Sequence, residues 1–437
     1  IMYFLIAHKS EMITILNAET WFIISTLLAP IGFVLQDVVA DALTVEAIPK
    51  TDERGNEIDF KTLKSLNIVM QLLGRVSIIS GTLLVSLVNL VMFSDSSEMS
   101  ENEKIITYGK IYLYSLIVPG ISVIGVLFSF INSKSRLNEL VKNGLAFKKA
   151  YNLVYPITKI TKPNPSIIIG SILFVIFTIS IGFSRIPFSQ EIVFTGSLAI
   201  IIYLLITLSS QLDPVAKRML IGTAVIIFVF RAMPGVGPGA SWFEIDILEF
   251  DQEFLSLLGL IASILTIFGI FVLRPLMEKS SMSRLIIILS IAGSIFLLPS
   301  LGMFYGIHEI TSKITNGLVD ARFIAIFNTA LESPLGQVSM IPILAWIAQS
   351  APSHLKATFF AVLASFTNLA LSASNLGTKY LNQIFVVTRE VKSISGKVTT
   401  QADYSELGIL LITVLLLTLI LPILVAILIR KLKFIAY

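Results

Sequence analysis

Three carboxylates, Asp37, Asp41 and Glu46, close an otherwise apolar run that ends LQDVVADALTVEAIP over residues 35–49. In a bilayer an ionised carboxylate must meet a cation, reach water or take up a proton, because hydrocarbon offers it nothing to bind. Asp37 and Asp41 are four residues apart, so a helix sets them on one face, one turn apart; Glu46 points elsewhere, near the far end. At about 1.5 Å per residue, Asp37 stands roughly 18 Å and Asp41 roughly 12 Å above Pro49, within the hydrocarbon or at its inner edge. Arg75, in the next apolar run, reaches about the depth of Asp37 and is the expected partner. Such a pair keeps an aspartate ionised, and with two acids to one cation the second is able to exchange a proton. A fixed ion-pair brace between helices is the other reading of the same residues.

A second set lies deep in later apolar runs: Arg231, Arg322 and Glu332, with Asn328, Gln337, Asn368, Asn375 and Lys379. Arg231 and Glu332 approach the midplane from opposite faces, the depth at which transporters bind substrate. Arg231 either pairs with Glu332 or grips an anionic ligand. The stretch RAMPGVGPGASW, residues 231–242, must break a helix, since two prolines and three glycines cannot continue one. It reads as a surface turn or as a hinge.

The elements that must position these residues follow from composition. The chain has 437 residues, 55% hydrophobic and 14% charged, with no cysteine and a net charge of +4; its mean hydropathy is +0.87. Soluble domains carry about a quarter charged residues. Recurrent apolar runs of about twenty residues instead define an all-α polytopic membrane protein. Disulfide scaffolds, thiol catalysis and Cys-ligated metals are excluded. Nucleic-acid binding has no support, because the basic residues flank apolar runs. His308-Glu309 lacks the second histidine of H-E-x-x-H and falls in an expected outer loop, and no phosphate-cradling G-x-x-x-x-G-K-[ST] occurs. Neither an enzyme nor a cofactor is implied. The first run, IMYFLIA, is too short to span and reads as the tail of a cut helix, so N-terminal sequence is expected to be missing.

Eleven full spans are expected, at 20–46, 64–93, 109–132, 166–186, 192–212, 218–234, 253–275, 283–304, 321–350, 355–386 and 405–430. Several exceed the length needed, which predicts tilted or broken helices. Residues 133–165 hold seven lysines and arginines against Glu139, which places that linker on the cytoplasmic side. Counting from it puts the acidic SDSSEMSENEK and WFEIDILEFDQE outside, and Arg430, Lys431 and Lys433 inside. The stretch 389–403, with three basic residues and two acids, falls outside against the trend. No N-x-[ST] acceptor lies in the outer loops, which is compatible with a bacterial inner membrane or an organellar one. PIGFV at 30–34 and PLGQV at 334–338 share P-x-G-x-V with a proline some eighteen residues later, both running outside to inside, as a parallel repeat between two halves would.

QDVVADALTVE resembles the acidic motif of the folate–biopterin transporter family, a branch of the major facilitator superfamily. ESPLGQVSMIPILAWIAQSAP followed by LKATFFAVLASFTNLA is similar to that family's penultimate-helix signature, and FEIDILEFDQEFLSLLG more weakly to its outer-loop pattern. The resemblance implies a two-bundle transporter: an N-terminal bundle at 1–132 lacking its first helices, a basic cytoplasmic linker at 133–165, an extra helix pair at 166–212, and a six-helix bundle at 213–437. It carries Asp37, Asp41 and Glu46 onto the acidic positions. Pro334, Gly336, Gln337, Pro342, Thr358, Phe360 and Asn368 fall on the second motif, with Glu332 just before it; Ala40 stands where valine is common. The expectation is a secondary transporter of a folate- or pterin-like small molecule, working by alternating access and coupled to protons, with Arg75, Arg231 or Arg322 gripping the anion. Another metabolite remains open, such as S-adenosylmethionine, a nucleoside or an amino-acid derivative. A cationic one would use Asp37, Asp41 or Glu332 as counter-charge. So does a non-transporting receptor or scaffold.

Overall fold

A computed structural model describes residues 1–46, 58–93, 99–155, 165–184, 186–210, 212–350, 356–392 and 398–434. Some residues within these stretches, 41–46 among them, are described by backbone alone. In chain order the helices are α1 (Met2–Ala7), α2 (Lys9–Ile15), α3 (Ala18–Glu46), α4 (Phe60–Met92), α5 (Glu101–Tyr114), α6 (Ile117–Lys142) and α7 (Phe147–Val154). There follow α8 (Pro165–Phe183), α9 (Ser189–Ser209), α10 (Pro214–Arg231), α11 (Pro238–Asp246), α12 (Gln252–Val272), α13 (Arg274–Lys279), α14 (Met282–Phe304) and α15 (Ile307–Ile314). The last are α16 (Ala321–Glu332), a 3-10 turn Ser333–Leu335, α17 (Met340–Ser350), α18 (Lys356–Ile384) and α19 (Leu407–Lys431). Strands β1 (Val391–Lys392) and β2 (Val398–Thr400) pair antiparallel in the connection before α19.

Sequence chemistry sets many of the starts. The Asp59 carboxylate accepts from Thr62 N at 2.9 Å to cap α4. Asp213 accepts from Val215 N and Ala216 N ahead of Pro214, which needs no donor at that position. Ser100 and Glu103 form a reciprocal capping box on α5. Asp251, Ser281 and Asp320 cap α12, α14 and α16 in the same way.

Among the described residues, seven helical stretches are long and apolar enough to cross a membrane, from Ala18–Asp37 to Leu407–Lys431. The other four expected spans coincide with α8, α10, the α16–α17 pair and α18. The protein is an all-α polytopic membrane protein. Two expectations change in detail. Helix α6 runs ten residues beyond the expected span end at 132, because Leu137, which is buried, and Leu140 extend its apolar pattern. The His308-Glu309 stretch, expected as loop, is helix α15.

The chain divides into two compact units. One comprises 1–32 and 95–185. Here α1 packs on α5, where Gly109 lets Ile6 approach to 3.2 Å of where a Cβ would stand, and α7 packs on α6. The other comprises 33–94 and 186–437. In it α4 packs on α12 and α17, α9 on α18, α10 on α18 and α19, and α14 on α19. Two of this unit's apolar clusters bear on the site. Ile68, Leu72 and Ile79 of α4 meet Ile270, Leu285, Leu289, Val338 and Ile341. Leu220, Ile226 and Ile227 of α10 meet Leu208, Ile286, Ile343, Leu344, Leu363 and Ala426.

Candidate functional site

Arg231 is the last residue of α10, and Phe230 beside it packs against both apolar clusters. Its half-buried side chain spans to two other helices: Nε donates to the Thr367 carbonyl of α18 at 3.1 Å, and Nη1 to the Met340 thioether at the start of α17 at 2.7 Å. Neither partner carries a charge. The expected ion pair with Glu332 is not made: among the described residues Glu332 forms no ion pair. The charge that does bear on Arg231 is positive. Arg75, half-buried in α4, lies near enough to repel it; Arg75 has interactions of its own within the chain. A half-buried guanidinium with neutral partners is an arrangement that an anion relieves.

The helix opposite is broken where the sequence places P-L-G-Q. Helix α16 ends at Glu332, a 3-10 turn takes Ser333–Leu335, turns follow to 339, and α17 starts at Met340. Proline at 334 cannot donate, so the ladder loses a bond there. Helix α12 meets the break: Thr266 Oγ1 donates to Ser333 O at 2.9 Å, and a Cβ on Gly269 would stand 2.4 Å from Pro334 Cα. Gln337 lies in the break, and its Oε1, like Asn328 Oδ1 in α16, is buried without a hydrogen bond. Each is an acceptor available to a ligand N–H or a water.

Helix α18 supplies a polar wall. Ser365, Asn368, Ser372 and Asn375 recur at spacings of three and four and are all exposed. Asn368 is next to Thr367, whose carbonyl holds Arg231. Lipid would leave asparagine amides exposed midway along a membrane helix unsatisfied.

The other expected residues fall as follows. Asp37 is partly exposed on α3 and makes no ion pair among the described residues, so the expected Asp37–Arg75 pair is not formed. The Asp41 and Glu46 side chains lie outside the described residues, though α3 carries both positions. Arg322 is not a buried grip: it is half exposed, paired with Asp251 Oδ2 at 2.9 Å and set over the Phe254 ring at the start of α12. Its span begins only at Ala321, so it sits at the outer end. Lys379 pairs with Glu191 of α9 at 2.8 Å.

The RAMPGVGPGASW segment is neither free turn nor loose hinge, as Ser374, Thr378 and Asn382 of α18 bond its backbone. Sequence reading missed that role although the four-residue spacing was visible. It missed Met340 and Thr367 because neither type signals a guanidinium partner.

The BT1 family model, that of the folate–biopterin transporters, matches residues 5–436. The chain belongs to that family. It is therefore an integral, multi-pass membrane transporter of a small molecule, in a family that is not an enzyme class. No curated protein matches the chain.

Proposed function

We propose that this transporter moves a folate- or pterin-like anion by alternating access, held at Arg231 with Arg75 and driven by protons. One observation carries the reading: among the described residues, the half-buried Arg231 guanidinium has neutral partners only. Three of its five N–H donors remain for a ligand carboxylate. Gln337, Asn328 and Asn368 add side chains able to meet the hydrogen-bonding edge of a heterocycle, and Glu332 closes the broken helix at the other end. Asp37, Asp41 and Glu46 are the proposed proton-coupling acids. The two-bundle division, with a basic linker at 133–165 and an extra pair at 166–212, is the proposed frame for the movement.

The test is uptake into proteoliposomes of labelled folate, biopterin and S-adenosylmethionine, with and without an inward proton gradient, beside Asp41→Asn. Folate or biopterin uptake raised by the gradient, and indifferent to it in the variant, is the expected result. S-adenosylmethionine uptake alone, or uptake unmoved by the gradient in the wild-type chain, rejects the substrate or the coupling respectively.

A further inference from the structure

The unwound backbone after Arg231 is fastened to one face of α18. Ser374 Oγ donates to Met233 O at 2.6 Å, Gly235 N donates to Thr378 Oγ1 at 2.9 Å, and Asn382 Nδ2 donates to Val236 O at 3.0 Å. The three side chains are four residues apart, so they form one stripe along the helix. Two of the three are braced in turn: Thr378 Oγ1 donates to Ser374 O, and Asn382 Nδ2 also to Thr378 O. Gly377 on the same face leaves room for Pro234, whose Cβ would lie 3.2 Å from any Cβ placed there. Gly237 takes φ +84, open to glycine, and its α-carbon faces the Asn382 amide. One residue round the helix, Lys379 and Tyr380 both hold Glu191 Oε1 in the first turn of α9, at 2.8 and 2.6 Å.

A hinge needs backbone groups that change partners as it moves. Here three backbone groups of the unwound stretch, Met233 O, Gly235 N and Val236 O, are met by dedicated side chains of one helix face. We propose that Ser374, Thr378 and Asn382 are positioning residues for Arg231. They lock residues 232–237 so that α10 and α18 carry the guanidinium as one rigid piece, and access changes by movement elsewhere. This inference rests on the substrate role given to Arg231 above.

The chain has no cysteine, which makes a cross-link test clean. A Cβ on Gly235 would stand 3.8 Å from Thr378 Oγ1, within disulfide reach. Gly235→Cys/Thr378→Cys is reconstituted, and labelled folate and biopterin uptake is compared between oxidised and reduced protein. The expected result is a disulfide found by mass spectrometry, with uptake within about twofold of the same protein reduced. Failure of the disulfide to form, or uptake lost on oxidation and regained on reduction, overturns the rigid pair. Thr378→Val is expected to raise KM roughly 3- to 10-fold with kcat little changed, the scale of one neutral hydrogen bond, and Thr378→Ser to restore it. Ser374→Ala is the second variant should Thr378→Val fold poorly; KM unchanged in the variant that folds rejects the positioning role. Arg231→Lys separates the two readings. Normal uptake by it, together with normal uptake by the cross-linked protein, removes the role of Arg231 and leaves the rigid pair standing.

Discussion

A single guanidinium carries most of the chemistry. Replacing Arg231 by lysine keeps the charge but loses the planar fork, and charge-assisted hydrogen bonds contribute about 1.5–3 kcal/mol each. Arg231→Lys is therefore expected to raise KM for the transported anion on the order of 10- to 100-fold, measured by initial uptake rates. An unchanged KM would show that the anion binds elsewhere. Outside the membrane, two acids of α11 have opposite environments. Arg389 forks onto Asp246, through Nε at 2.9 Å and Nη2 at 2.6 Å, and holds its carboxyl below the ordinary 3.8. That contribution to stability is present above 3.8 and is lost as pH falls through the depressed value. Burial among Phe243, Leu248, Met303 and Leu411 instead pushes Glu244 up. Its contribution is present below 4.5 and lost as pH rises, so the charged form is a burden at neutral pH. Glu244→Gln is expected to raise Tm by about 2 °C at pH 7 with no gain at pH 4, followed by thermal unfolding in detergent. A gain equal at both pH values would mean that charge is not its cause. At this scale the sequence marked Arg231 as costly, because a cation inside an apolar run stands out. It did not mark Thr367 or Met340, which are 136 and 109 residues away and ordinary in type.

Among the elements, the break between α16 and α17 depends on close approach by α12. A methyl on Gly269 would meet Pro334 backbone at 2.4 and 2.5 Å, atoms that cannot swing aside. Gly269→Ala is expected to cost about 1–3 kcal/mol of stability, as overpacking does, and to cut uptake sharply. Gly259→Ala on the same helix is the control: its Cβ would meet only Ser86 Oγ at 3.6 Å, an ordinary contact. Equal behaviour of the two variants in uptake and thermal stability would reject the tight crossing. The break after α10 was legible as P-G-V-G-P-G, since proline and glycine punctuate helices by removing a donor or adding backbone freedom, whereas 321–350 read as one long span. That each break is fastened from another helix, by α18 after Arg231 and by α12 at Ser333, was not legible, because the partners lie far away in sequence.

For the molecule as a whole, orientation is the first quantity to test. The basic stretch 133–165 is expected inside and α15 outside. In sealed right-side-out vesicles, an impermeant maleimide is expected to label Glu309→Cys and to spare Lys142→Cys until the vesicles are opened. Labelling of Lys142→Cys first would invert the topology. Family membership follows from a match over residues 5–436 and makes the chain a transporter. The substrate and the coupling are the proposals above, and the uptake measurements decide them.

Composition and hydropathic periodicity alone determined that the chain is a bundle of membrane helices, where those helices lie, and which charges among them are out of place. These are properties of short windows, governed by the free energy of putting each residue into hydrocarbon. Only the tertiary structure decided that Arg231 reaches Thr367 and Met340 rather than Glu332, that Asp37 does not take Arg75, and that Ser374, Thr378 and Asn382 stitch the broken end of α10 to α18. Such pairings depend on how helices distant in sequence rotate and cross, which is set by the packing of buried side chains from all of them at once.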